Sequence, residues 1–305
     1  MTSKDGRVEA QDWSLLGLLS VLWGGSFVFN GLALKELPPL TLVLLRVALA
    51  ALILLPVLRL RGLGFPKGMA GWRPFFAVAF FNNVVPFSLI VIGQTFITSG
   101  LASVLNATTP LFTIMVMAAA GEEKLSARRV AGLIAGLVGV VILRGAPDLD
   151  RSGGFGILFG LGAALSYGIA GLLARRTLAH SPPLSTATFQ LMASSLMMVG
   201  VAGIVDRPWT LAMPGLQTWF AVIGLSALST ACAYIMFFQI LRRSGATNVA
   251  LVTLLIPVTA IVMGAWLLGE RLAMREIVGA FVIGSSLLVI DGRIVNWLRP
   301  SARPA

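Results

Sequence analysis

The chain has 305 residues, 57% of them hydrophobic and 11% charged, with a mean hydropathy of +0.91. Soluble domains carry roughly 45–50% apolar and about 25% charged residues, and a single soluble core stops growing near about 250–300 residues. That composition argues against a soluble enzyme, a disordered chain and a nucleic-acid binder. One Cys and one His exclude a disulfide scaffold, a Cys-rich metal centre and most histidine metal sites, so no metal and no cofactor is expected. The net charge of +11 fits basic loops that orient helices in a bilayer.

Ten windows, each about 20 mostly apolar residues and so able to cross a bilayer, follow one another along the chain. They cover 13–34, 38–58, 75–96, 100–119, 127–144, 153–174, 184–205, 217–240, 246–268 and 274–292. The runs are continuous and do not alternate, which predicts helices and not a β-barrel. The expected fold class is an all-α integral membrane protein. The first run is long and follows a polar start, so it reads as a retained anchor helix. The polar stretch 59–74 reads as a connector, and Thr98-Ser99-Gly100 is the weakest divider. With the N-terminus cytoplasmic, sixteen of the 23 Lys and Arg fall on the inside and six outside. The remaining one, Arg46, lies within the second span. This bias puts both termini in the cytoplasm. Trp13, Trp72, Trp209, Trp219, Trp266 and Trp297 lie near span ends, and Trp23 alone is mid-span.

The two halves resemble each other. Trp23-Gly24 and Pro38-Pro39 recur as Tyr167-Gly168 and Pro182-Pro183, which sets Arg46 opposite Gln190. Gln94 and Ser99-Gly100 recur as Gln239 and Ser244-Gly245. Pro110, Glu123-Lys124-Leu125 and Gly132 recur as Pro257, Glu270-Arg271-Leu272 and Gly279. The predicted units are 1–148 and 149–296, followed by a cytoplasmic tail, 297–305. Five spans per unit force the second copy to enter from the opposite side. Inverted repeats of this kind suit alternating access around a midplane site.

Polar groups inside a bilayer need a partner or a water-filled cavity. The third span offers Asn82 and Asn83, with Phe87, Ile90 and Gln94 continuing the face of Asn83 at steps of 4, 3 and 4, and the fourth offers Asn106 and Thr109. The eighth offers Ser229 and Tyr234, and the ninth Thr253. Trp23, Tyr167 and Tyr234 are mid-span aromatic rings and candidates for stacking or for holding an ammonium, and Trp23 and Tyr167 correspond across the repeat. Arg46 either pairs with a substrate carboxylate or anchors structure by snorkelling outward. Pro86, Pro110 and Pro257 each free a backbone carbonyl, for gating or as a simple kink. The pairs Gly132/Gly136 and Gly156/Gly160 allow close helix packing. Spans five and ten are possible dimer surfaces, although a working monomer is expected. All twelve Asp and Glu lie in loops or at span ends, so no buried carboxylate is available for proton coupling. The same absence disfavours permanently cationic drugs.

The Trp23–Phe27 run, Arg46, and the repeated Pro…Glu-Lys/Arg-Leu pattern at Pro110–Leu125 and Pro257–Leu272 resemble the drug/metabolite transporter superfamily in its ten-helix EamA-type form. The resemblance covers nearly the whole chain. It implies a small-molecule carrier, most often an exporter, in a bacterial inner membrane, and not an enzyme. It is closest to the amino-acid exporters, the aromatic branch included. Other metabolites or drugs of that superfamily remain open as substrates. A membrane enzyme would need an acidic metal site or a His near the interface, and neither cluster exists in the sequence. The twofold inverted design argues against a flux-free scaffold.

Overall fold

The computed structural model describes residues 10–144, 151–237, 239–240 and 252–291. The start of the predicted ninth span, Ser244-Gly245 and the tail 297–305 lie outside the described residues. The helices are α1 (Ala10–Ala33), α2 (Pro39–Leu60), α3 (Gly68–Gly93), α4 (Ser99–Ala119), α5 (Ala127–Arg144), α6 (Arg151–Thr177), α7 (Pro183–Val205), α8 (Leu216–Phe237), α9 (Val252–Leu268) and α10 (Met274–Asp291). No strand occurs among the described residues. Among the described residues, seven helices, α1–α4 and α6–α8, are long and apolar enough to cross a membrane. α9 is a shorter apolar helix of 17 residues, and α5 and α10 each have 18.

Local chemistry sets the helix limits. Pro39 and Pro183 open α2 and α7, where a missing N–H costs nothing because the first turn has no intrahelical acceptor. Gly121 and Gly269 end α4 and α9 with φ of +75° and +67°, a left-handed stop that glycine takes without a steric penalty. The stretch 59–74 is not all connector: α3 already begins at Gly68, so Trp72 and Arg73 belong to its first turns. An amphipathic turn at a membrane surface carries no long apolar run, which hides it from a hydropathy window.

The helices alternate in direction. One end of the bundle, here the distal end, holds the α1–α2, α3–α4, α7–α8 and α9–α10 turns: Glu36 bonds to Gly215, Asp206 to Thr41 and Glu270 to Ser99. The proximal end holds the α2–α3, α4–α5 and α6–α7 turns, brought together by Arg176–Glu122 and by the packing of Leu58, Phe75 and Leu178. α1 packs on α8 and α9, while α6 packs on α3 and α4. α2 packs on α7 and α8, while α7 packs on α2 and α3. Each half therefore completes its core with helices of the other.

α5 and α10 pack against each other through glycines. A β-carbon on Gly279 would stand 2.8 Å from the Gly139 carbonyl oxygen, and one on Gly139 would stand 2.8 Å from Ile283. The glycine faces of α5 and α10 are thus used on each other. Gly279→Leu is expected to lower unfolding stability by about 1–3 kcal/mol, the usual cost of overpacking. A thermal scan of the purified protein measures it, and an unchanged midpoint would contradict this close packing.

Candidate functional site

The polar centre is built where two helices change their hydrogen-bond register. α3 carries a π-helical segment at Phe80–Val84, and α8 carries one at Gly224–Cys232. A π turn widens the helix and leaves a carbonyl without its usual partner. The Ser166 hydroxyl of α6 donates to one such carbonyl, that of Phe81, at 2.7 Å. In α3 the widened turn immediately precedes Pro86, whose ring would otherwise press on the carbonyl four residues back.

Against the α8 segment lies Arg46, only 6% exposed. Its Nε donates to the Thr230 hydroxyl at 3.0 Å, and its guanidinium carbon stands 3.8 Å from the Phe87 ring centroid. Arg46 does not snorkel to an interface. Desolvated cation–ring contacts of this kind contribute about 2 kcal/mol. Both Tyr167 and Tyr234 lie within electrostatic range of it.

Against the α3 segment lies Gln190, the residue of α7 that corresponds to Arg46. Its side-chain oxygen accepts from Asn82 Nδ2 at 3.0 Å. Asn83 is fully buried; it donates to Ser194 at 2.9 Å and accepts from the Tyr234 hydroxyl at 3.2 Å. This chain of bonds joins α3, α7 and α8. Trp23 borders the centre from α1, with its ring 5.5 Å from Phe237.

The remaining predicted residues fall elsewhere or serve the backbone. α4 breaks at Ala107–Thr108, and Pro110 opens the segment that follows. The carbonyl that Pro110 frees, that of Asn106, accepts from the Thr109 hydroxyl at 2.7 Å. Thr109 therefore mends the break. The Asn106 side-chain oxygen and the Ser229 hydroxyl are buried without a hydrogen-bond partner. Thr253 and Pro257 lie in α9, where the helix continues through the proline. Gln94 is not central: α3 ends at Gly93, and the π segment shifts the face extrapolated from Asn83.

Gln94 instead ties the distal end. It donates to the Phe27 carbonyl at 2.8 Å and to Ser99 at 3.1 Å, and accepts from Asn30 at 2.8 Å. The Glu270 carboxylate accepts from the backbone N–H of Ser99 at 2.8 Å and of Gly100 at 3.3 Å. The repeat mates behave differently at the proximal end: Glu123 pairs with Arg129 at 2.8 Å, and Gln239 is exposed. A separate cleft of about 910 Å³ opens distally beside Leu143, Phe155 and Leu158, and no residue of the polar centre lines it.

Two further carboxylates cross between halves at the distal end. Glu36 accepts from Gly215 N–H and the Thr218 hydroxyl, and Asp206 accepts from Thr41 N–H and its hydroxyl. Donation from Thr218 first, then Gly215, holds the Glu36 carboxyl below its ordinary value of 4.5. A depressed native pKa adds stability that is present above the unfolded value and lost as pH falls through the native one. Wild type is thus expected to lose part of its stability only below about pH 4.5. Glu36→Gln should show a shallower acid loss in thermal scans between neutral and acid pH; identical slopes would remove Glu36 from the acid transition.

The sequence profile of the EamA-like transporter family matches residues 12–145 and again residues 154–290. The chain belongs to the EamA-like transporter family. An uncharacterized transporter, YoaV, of Bacillus subtilis (strain 168) is 26% identical over 277 residues, covering 88% of this chain and 93% of its own. A probable amino-acid metabolite efflux pump of Salmonella typhimurium (strain LT2) is 26% identical over 301 residues, covering 92% and 95%. A solved crystal structure aligns with a TM-score of 0.67 at 17% identity, covering 96% of this chain and all of its own, so the fold is shared. This EamA protein is accordingly a multi-pass membrane transporter of the drug/metabolite transporter superfamily, not an enzyme.

Sequence reading did not find Ser194, Asn30 or the three distal carboxylate caps. Ser194 follows Gln190 by four residues on one face of α7, and that spacing is a usable signal. The caps carry none, because their partners are backbone N–H groups far along the chain.

Proposed function

We propose that this protein exports small zwitterionic or neutral metabolites, most of all amino acids, across the bacterial inner membrane by alternating access. The carrying observation is a polar centre of amides, hydroxyls, aromatic rings and one guanidinium. The described carboxylates, Glu36, Glu122, Glu123, Asp206, Glu270 and Glu276, all lie at helix ends. A zwitterion suits such a centre; a permanent cation would find no counter-charge there. The efflux-pump name of the Salmonella relative points the same way.

In this reading all ten helices span the bilayer, as two inverted units covering 1–148 and 149–296, with both termini cytoplasmic. The exchanged packing of α1 with α8 and α9 against α6 with α3 and α4 supports it. So do the two π segments, which match at the 145-residue offset that separates Gln94 from Gln239. The basic residues Arg59, Arg61, Lys67, Arg73, Arg175 and Arg176 gather at the proximal end, which would face the cytoplasm. The carrier works as a monomer and uses no buried carboxylate for proton coupling.

Purified protein in liposomes, loaded with each amino acid in turn and assayed for counterflow of the labelled one, tests the proposal. Flux above empty vesicles is expected for at least one neutral or aromatic amino acid. No flux for any of the twenty would remove the amino-acid reading.

A further inference from the structure

A guanidinium has five N–H donors and no acceptor. In Arg46 only Nε is bonded, to Thr230. Its four terminal N–H groups donate to no acceptor among the described residues, and no described carboxylate pairs with it. Buried charge without a counter-ion is strongly unfavourable unless something else supplies the compensation. Phe87 supports one face of the guanidinium, which fixes its plane and leaves the terminal nitrogens as the free edge. Next to Thr230 in sequence, Ser229 buries a hydroxyl that has no partner. Neighbouring hydroxyls in that segment close on their own helix: Ser226 donates to Val222 and Thr230 to Leu225. The site therefore presents a forked cationic donor and, among the described residues, holds no built-in anion. A planar two-oxygen anion matches a guanidinium edge in a bidentate way that chloride or a neutral solute cannot.

We infer that Arg46 is the carboxylate-binding residue of this carrier, so that every transported solute bears a carboxylate. The inference rests on the transporter reading and narrows it. Thr230 and Phe87 are positioning residues: one orients Nε and the other the ring plane. Gln190, which occupies the corresponding place in the other half, is neutral and already accepts from Asn82, so the anion site is single and not duplicated.

The test uses the full-length protein in lipid nanodiscs and measures thermal stabilisation and equilibrium binding. The probes are the twenty amino acids, their carboxamides, and amine-free monocarboxylates from acetate to hydrocinnamate. In wild type, any amino acid that binds should do so about ten- to a hundredfold more tightly than its carboxamide, the worth of a charge-assisted bond. Arg46→Gln should bring the acid down to the affinity of the amide and leave the amide unchanged. Arg46→Lys should restore part of the difference. Equal affinity of acid and amide in wild type would overturn the assignment of Arg46 and leave the amino-acid reading standing. Binding of monocarboxylates but of no amino acid, with the same dependence on Arg46, would uphold the assignment and remove the amino-acid reading. No binding of any carboxylate would overturn the assignment. The acid–amide comparison in wild type decides the matter even if the variants fail to fold.

Discussion

Asn83→Leu is expected to lower transport at least tenfold while leaving a folded protein. Asn83 bonds to both α7 and α8, through Ser194 and Tyr234. Leucine has nearly the same volume but neither donor nor acceptor. Ser194 keeps its bond to the Gln190 carbonyl at 2.6 Å, so its hydroxyl proton stays satisfied. Tyr234 loses an acceptor at the edge of the site. Interhelical bonds in membranes are worth about 0.6 kcal/mol on average, so losing two costs about 1–2 kcal/mol of stability, which a marginal fold tolerates. Transport falls further than stability, because Tyr234 also lies within electrostatic range of Arg46. Changing the contacts of that hydroxyl changes how the site presents itself to the solute. Counterflow in liposomes measures the loss, and Asn83→Gln should recover part of it by restoring an amide. Full activity of Asn83→Leu would detach this junction from the transport path.

Much of this architecture is written in composition. Long apolar runs, short turns and Pro-Pro pairs at Pro38-Pro39 and Pro182-Pro183 each depend on a few neighbouring residues, so they can be read locally. The residues of the centre were legible by type, since Asn82, Asn83, Tyr234 and Arg46 are polar where the surroundings are apolar. Their partners were not, because pairing is decided by π segments that no periodicity announces. A widened turn moves every later residue around the helix, which is why Gln94 leaves the face of Asn83 and joins the distal end. The choice between gate and simple kink at a proline was likewise not legible. Pro110 does free a carbonyl, but the adjacent Thr109 hydroxyl takes it, and a hydroxyl can turn either toward a solute or back to its own helix. Arg46 illustrates the opposite limit. Sequence left snorkelling and substrate contact both open, and burial at 6% with Thr230 and Phe87 at hand closes the first.

Glu270→Ala is expected to loosen the distal end and expose what lies beneath it. The carboxylate holds the first two free N–H groups of α4, those of Ser99 and Gly100, from the turn after α9. Negative charge at a helix N-terminus is favourable both as a cap and toward the helix dipole, and removing a cap costs about 1–2 kcal/mol. The fit is tight as well, since a β-carbon on Gly264 would stand 2.6 Å from the Glu270 carboxylate oxygen. Within the same knot, Gln94 and Ser99 bond to the Phe27 carbonyl of α1. Breaking one strand of the knot leaves the others strained across three helices. At about 1.4 kcal/mol per factor of ten, the open population should rise roughly tenfold. Ser103 is fully buried one turn below, so Ser103→Cys in a Cys232→Ser background reports the opening through its rate of thiol labelling. That rate should rise about tenfold with Glu270→Ala, and Glu270→Gln, which keeps an acceptor without the charge, should fall between. By the repeat correspondence, Glu123→Ala is the control: Glu123 engages arginine side chains at the proximal end, so its loss should leave labelling at Ser103→Cys unchanged. Equal labelling in all three variants would mean that the distal closure does not depend on this carboxylate.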